Sequence, residues 1–467
     1  MTRIAIIGGG PAGYEAAQVA AGLDAQVTVV ESDGIGGACV LYDCVPSKTL
    51  IATSEKVTAM RDAPALGVCT AGGPDVSVQL ALVNQRVREL AATQSSDIHQ
   101  RLVRAGVTLI RGRARFAETQ RGRTFDIDVE VEPGRREQLA ADVVLLATGG
   151  TPRVLPGAEP DGERILSWRQ VYDLKELPRH LVVVGSGVTG AEFASAYSEM
   201  GVPVTLVSSR QKVLPGEDPD AADVIEQVFT AHGGTLMKQA RAASVNRTAD
   251  GVEVQLTDGR TVPGSHALMC VGSVPNTADL GLEHVGLALD PAGFVQVDRV
   301  SRTAVPGIYA AGDCTGVLLL ASVAAMQGRV AMWHALGEAV QPLRLKTVAA
   351  NVFTHPEIAT VGIGHDAVTS GLVPARTVVL PLTGNARAKM QGVAEGYVKM
   401  YCRPATGVVI GGSVVAPQAS ELIQPIAMAV QLGLTVNQVA ATFTVYPSIS
   451  GSVTEAARQL MHHDDLD

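Results

Sequence analysis

Short apolar runs, glycine turns and alanine-rich stretches follow one another in a fixed order at the start of this chain. Arg3 to Ile7 reads as a strand and Gly8-Gly9-Gly10-Pro11-Ala12-Gly13 as a turn. Alanine-rich helical sequence runs on to Ala21, and Gln26 to Val30 is a second strand. The order returns later in the chain. Leu181 to Val184 is the strand, Gly185-Ser186-Gly187-Val188-Thr189-Gly190 the turn, Ala191 to Met200 the helix and Val204 to Val207 the next strand. A strand, glycine turn, helix and strand form the unit that binds a dinucleotide, so two copies predict two such domains. The segment from Thr108 to Thr148 is rich in strands and turns and predicts a β-meander attached to the first. From about Arg344 strands and helices continue without a glycine turn, which predicts a separate domain of α+β character. The fold class is therefore α/β, two Rossmann-like domains plus an α+β C-terminal domain.

The bulk numbers narrow the function. The 467 residues leave room for about three domains. With 37 basic and 46 acidic residues and no run of like charge, there is no electrostatic footprint for nucleic acid. Apolar content is 46%, yet no stretch reaches the ~18 residues of a membrane span. The richest window, Val317 to Met326, is broken by Ser322. The N-terminus runs straight into a strand without a signal-peptide pattern, and the expected location is the cytoplasm. His462-His463-Asp464-Asp465 reads as a frayed, solvated end rather than a metal site. Six cysteines are too few for a disulfide scaffold, and only Cys39 and Cys44 are close in sequence. In a reducing compartment such a pair points to redox chemistry.

The glycines of each turn have separate tasks. The first (Gly8, Gly185) makes the tight turn. The second (Gly10, Gly187) lets backbone approach the pyrophosphate, and the third (Gly13, Gly190) lets helix pack on strand. Glu31, at the end of the second strand, is placed to accept hydrogen bonds from both ribose hydroxyls. The later copy has Ser208 there, followed by Arg210 and Lys212. Loss of the carboxylate removes repulsion against a 2′-phosphate, and the two cations add attraction. NADPH is expected to serve at least as well as NADH, although Gly190 is typical of NAD sites, so dual use is the expectation.

Several further motifs resemble those of the pyridine nucleotide–disulfide oxidoreductases, the family of dihydrolipoamide, glutathione and mercuric reductases. Gly36-Gly37-Ala38-Cys39-Val40-Leu41-Tyr42-Asp43-Cys44-Val45-Pro46-Ser47-Lys48 resembles their redox-active disulfide segment. Ala147-Thr148-Gly149 resembles the crossing between nucleotide domains, Gly307 to Asp313 the second FAD motif, and Thr354-His355-Pro356-Glu357 the interface domain. The resemblance covers essentially the whole chain. It implies FAD on the first domain, NAD(P)H on the second and an obligate homodimer. The segments implied are 1–149 and 275–343 for FAD, 150–274 for NAD(P)H and 344–467 for dimerisation. Implied cofactor contacts include Thr148, Gly149, Gly312 and Asp313 for FAD and Gly272 for NAD(P)H. Cys44 is implied to lie next to the flavin, Cys39 to face substrate, and Lys48 to contact the flavin near its reactive nitrogen and to pair with Glu192. A regular helix rises ~1.5 Å per residue, which puts Cα atoms five residues apart beyond the ~7 Å a disulfide tolerates. The pair can close only if its helix is distorted. Helix N-terminus and cations would favour a Cys44 thiolate, whereas Asp43 would oppose it.

One departure decides the expected activity. Disulfide reduction in this family needs a His-Pro with a Glu five residues after the His. The matching positions here are Tyr446 and Gly451, and the nearest histidines are His365 and His462. A phenol of pKa ~10 replaces poorly an imidazole of pKa ~6.5, and losing a positioned acid–base costs ~10²- to 10⁴-fold. A quinone needs no thiol leaving group protonated, so it tolerates the loss. The chain thus resembles the actinobacterial lipoamide dehydrogenase-like quinone reductases. Alternatives are a true disulfide reductase, a soluble transhydrogenase (these carry Tyr-Pro but usually lack one cysteine), and an NAD(P)H-binding flavoprotein without turnover.

Overall fold

The computed structural model describes residues 1–69, 76–118 and 124–461. The His462–Asp465 tail lies outside them. The chain divides into two compact units, each assembled from three segments.

The first unit comprises Met1–Thr49, Asn84–Arg153 and Gly272–Arg344. Its main sheet has five parallel strands in the order Ile308–Ala310, Val143–Leu146, Arg3–Ile7, Gln26–Glu31, Thr108–Arg111. The apolar runs are continuous because both sheet faces are covered. Ile4, Ile6, Val27 and Val29 pack with Ala12, Ala16, Ala17 and Ala20 of the helix Pro11–Gly22. Ala5, Ile7, Val144 and Leu146 pack on the opposite face with Phe116, Ile127 and Val129. Those three belong to the expected meander, the antiparallel strands Arg113–Phe116, Phe125–Glu132 and Arg135–Ala141. Small residues let the helix Pro11–Gly22 come close to the helix Ala321–Ala335. A Cβ on Gly328 would lie 2.1 Å from the Ala12 carbonyl oxygen.

The second unit comprises Leu50–Val83, Val154–Val271 and Leu345–Asp467. It holds the second parallel sheet, ordered Thr235–Met237, Val204–Val207, Leu181–Val184, His266–Met269, Ile165–Ser167. The helix expected from Ala191 starts earlier, at Val188, and runs to Glu199. Gly187 is extended and serves as its N-cap, so the helix begins inside the glycine turn. The C-terminal segment forms a five-stranded antiparallel sheet in the order Ala349–Val352, Glu357–Gly362, Val409–Ala416, Tyr397–Cys402, Arg376–Pro381. Helices Gln424–Leu432 and Gly451–Gln459 bury Ile426, Ala429, Val453 and Ala456 in one core with Val398, Met400 and Val414 of that sheet. Among the described residues no helix is long and apolar enough to cross a membrane.

Candidate active site

The two glycine turns are built alike, residue by residue. Gly8 and Gly185 both have φ of 109°, a left-handed value that strains residues with a Cβ. A Cβ on Gly8 would meet the Ala147 carbonyl oxygen at 2.2 Å, and one on Gly185 the Cys270 carbonyl oxygen at 2.1 Å. The third glycines, Gly13 and Gly190, have no room either: their Cβ atoms would lie 1.9 and 1.8 Å from the carbonyl oxygens of Gly8 and Gly185. Gly187, the middle glycine, faces open space. Each turn therefore presents bare backbone and a helix N-terminus at the carboxyl end of a parallel sheet. That is where open α/β sheets bind anions and nucleotides.

In the first copy the Glu31 carboxylate accepts hydrogen bonds from the N–H groups of Gly9 at 2.6 Å and Asp33 at 2.7 Å. In the second copy, Ser186 and Ser208 stand at the places of Gly9 and Glu31. Their hydroxyls lie 2.6 Å apart, and both residues are buried. Ser208 Oγ also accepts the Arg210 N–H at 3.1 Å. The two cations of the following loop are not equivalent. Lys212 forms an ion pair with Asp223, whereas Arg210 is exposed and takes part in no ion pair among the described residues. Glu192, on the helix Val188–Glu199, is buried and accepts the Phe353 N–H at 2.9 Å.

Within the first unit, strands Gly150–Pro152 and Ser273–Pro275 pair antiparallel just beyond Thr148-Gly149 and Gly272. Asn276 donates to the Thr148 carbonyl at 2.9 Å, and its own N–H reaches the Gly149 carbonyl at 3.0 Å. The Arg153 N–H donates to the Gly272 carbonyl at 2.9 Å. Asp313 starts a single 3₁₀ turn after Gly312. Burial pushes its carboxyl up from the ordinary carboxylate range. The buried Gln327 holds this turn by accepting the Gly312 N–H at 2.9 Å.

The cysteine segment is distorted in the way its spacing demands. One helix covers Gly37–Leu41 and a second starts at Cys44 and runs to Asp62. Tyr42 leaves the helical region at φ −138°, and the Asp43 N–H reaches back to the Ala38 carbonyl at 2.8 Å. That five-residue bond takes up one extra residue between the cysteines. Both thiols are free, and Cys44 hydrogen-bonds with Cys39. This bond, followed by burial and the Asp43 charge, drives the Cys44 thiol far above the ordinary range, and Lys48 opposes the shift. The direction is opposite to the one that the helix N-terminus and cations alone would favour. Lys48 follows one turn later on the same helix and is half-buried.

Tyr446 lies before a cis proline and is 86% exposed. Gly451 opens the helix Gly451–Gln459, and its N–H donates to Ser448 Oγ at 3.1 Å. Neither supplies an imidazole or a carboxylate to its surroundings.

Comparison with known proteins gives the family. Residues 2–328 match the family Pyridine nucleotide-disulphide oxidoreductase, and residues 348–457 match its dimerisation domain. The chain belongs to the pyridine nucleotide-disulphide oxidoreductases. Its cofactors are FAD and NAD(P)H. It is 60% identical to the NAD(P)H dehydrogenase (quinone) of Mycobacterium tuberculosis, covering 100% of this chain and 95% of the relative. It is 32% identical to a dihydrolipoyl dehydrogenase of Chlorobaculum tepidum, covering 97% and 96%. The crystal structure of LpdA from Mycobacterium tuberculosis superposes with a TM-score of 0.95 at 59% identity, covering 99% of this chain and 100% of that one.

The residues present fit both cofactors of the family. At the second glycine of each turn a Cβ would meet only backbone at 4.0 Å (Gly10) or nothing within 4 Å (Gly187), and Asp313 is a partly buried carboxylate able to take a hydroxyl hydrogen bond. Ser186, Gln327 and Asn276 escaped the sequence reading. Only for Ser186 was there a signal, because it replaces Gly9 in the same chain that replaces Glu31 by Ser208.

Proposed function

We propose that this chain works as a homodimeric, FAD-dependent NAD(P)H:quinone oxidoreductase. When bound, FAD takes hydride from NAD(P)H and hands two electrons to the acceptor. Gly8, Gly10, Gly13, Glu31, Thr148, Gly149, Gly312 and Asp313 hold FAD in this reading. Gly185, Gly187, Gly190, Ser208, Arg210 and Gly272 hold NAD(P)H. The phosphates rest on backbone N–H groups at the helix N-termini.

The observation that carries the choice of acceptor is Tyr446 with Gly451. A disulfide substrate is attacked by a thiolate and expels another, and a positioned imidazolium must protonate the leaving thiolate. Neither residue can do so. A quinone is protonated by solvent and requires no such group. The name of the relative sharing 60% of the sequence supports the same acceptor.

The homodimer is supported by the dimerisation domain and by an exposed apolar surface. Phe443 and Val445 are 102% and 77% exposed, and Met428 and Leu432 stand out from the helix Gln424–Leu432. Soluble chains seldom leave so many large apolar side chains uncovered in one stretch.

Restoring the dyad tests the reading. Tyr446→His with Gly451→Glu should raise turnover of a small disulfide at least about tenfold and leave quinone turnover nearly unchanged. Tyr446→His alone should gain less, because an unoriented imidazole lacks its preferred tautomer. An equal rise for both acceptors would refute the proton argument.

A further inference from the structure

Lys399 is a buried lysine inside the strand Tyr397–Cys402, 1% exposed. Its ammonium lies 2.9 and 2.7 Å from the two carboxylate oxygens of Asp218 and 2.6 Å from Asp220. His365 Nδ1 is 3.5 Å away. Asp218, Asp220 and His365 gather their donor atoms within 4.8 Å of one another, a grouping that could hold a metal ion. The lysine ammonium occupies the middle of it and serves as its cation.

This node is fastened to the second glycine turn through one loop. Asp218 caps the helix Pro219–Ala231 by accepting the Asp220 N–H at 3.0 Å. The loop from Ser208 to Asp218 contains Leu214, a buried leucine at φ 53°. Such a conformation persists in a branched residue only when its surroundings over-determine it. Two neighbours do so. The Leu214 N–H donates to the carbonyl of Ser186, inside the turn, at 2.8 Å. The Val213 N–H donates to the buried Glu226 at 2.9 Å, and Glu226 is in turn paired with Lys238. The near end of the loop is tied by the hydroxyls of Ser186 and Ser208. The far end is tied by Lys399.

We infer that Lys399 is a positioning residue for NAD(P)H. Acting through Asp218 and Leu214, it sets the Gly185–Gly190 turn and the loop that carries Arg210. The inference rests on the reading that this turn holds the nicotinamide nucleotide. A strand of the dimerisation domain thereby takes part in cofactor recognition without touching the cofactor. Removing one partner of a buried ion pair leaves the others uncompensated, so the loop should relax.

The test uses the FAD-loaded enzyme with a simple quinone. Lys399→Met keeps the bulk of the side chain and removes its charge. Lys399→Met with Asp218→Asn also removes the carboxylate left behind, which protects the fold. Both should raise KM for NADPH about tenfold, equivalent to ~1.4 kcal/mol. The kcat at saturating NADPH and the KM for quinone should stay within about twofold. Asp220→Asn, which removes the more exposed carboxylate, should raise KM for NADPH by a smaller factor and serves if the Lys399 variants do not fold. A purely structural node would lower Tm and leave KM for NADPH unchanged, and that result overturns the inference. Gly187→Val separates the two claims, since it places a side chain where the pyrophosphate would sit. If Gly187→Val raises KM for NADPH and the Lys399 and Asp220 variants do not, only the role of Lys399 falls. If Gly187→Val has no effect, the reading of the turn fails.

Discussion

Ser208 shows how one buried hydroxyl can set a preference. In the first copy of the fold, Gly9 has no side chain and leaves room for Glu31 to bond its N–H. In the second copy Ser186 fills that room and Ser208 bonds it instead. Ser208→Glu alone therefore crowds Ser186. The double change Ser186→Gly with Ser208→Glu rebuilds the first copy and should shift kcat/KM toward NADH more than Ser208→Glu does. Arg210→Ala should weaken NADPH and barely affect NADH, because only NADPH carries the 2′-phosphate. Lys212→Ala should do little to either, since Asp223 already holds that ammonium. Equal loss of NADPH and NADH in Arg210→Ala would contradict the assignment.

Two further residues carry testable titrations. The bond from Cys39 is the foremost cause that raises the Cys44 thiol. In Cys39→Ala that bond is gone, so the Cys44 thiolate should form at lower pH than in the reduced wild type. The pH profile of Cys44 alkylation measures it, and an unmoved profile would show that Cys39 does not control the thiol. Burial alone raises the Asp313 carboxyl. A carboxyl raised in the folded state binds its proton more tightly there than in the unfolded chain. Stability therefore falls as pH rises from the unfolded value of ~3.9 through the folded one. Apoprotein with Asp313→Asn should melt higher than wild type at neutral pH, with the gap closing below about pH 4. It should also bind FAD more weakly. A lower Tm at neutral pH would contradict this reading.

At the scale of elements, both glycine turns and their four flanking strands were legible. Their apolar runs are short, their turns need glycine for steric reasons, and the signal lies within thirty or so residues. The meander was legible as turn-rich sequence. The break between Leu41 and Cys44 was legible only as a geometric requirement, because no glycine or proline marks Tyr42. The Lys399 node was hidden. A lysine in an otherwise apolar strand reads as a solvated edge, and its partner Asp218 lies 181 residues away. The roles of Gln327 and Asn276 were hidden for the same reason, since each is defined by backbone groups from another segment.

At the scale of the whole molecule, the proposed function has two copies of one fold carry different cofactors and a third region decide the acceptor by what it lacks. The reductive half depends on backbone cradles that this chain retains in full. The oxidative half toward disulfides depends on an acid–base pair replaced by Tyr446 and Gly451. The most direct test of the account is steady-state turnover of the wild-type enzyme at saturating NADPH, with a simple quinone and with lipoamide side by side. The account predicts quinone turnover at least about a hundredfold faster, the lower bound for a lost acid–base group. Lipoamide reduced as fast as the quinone would contradict it.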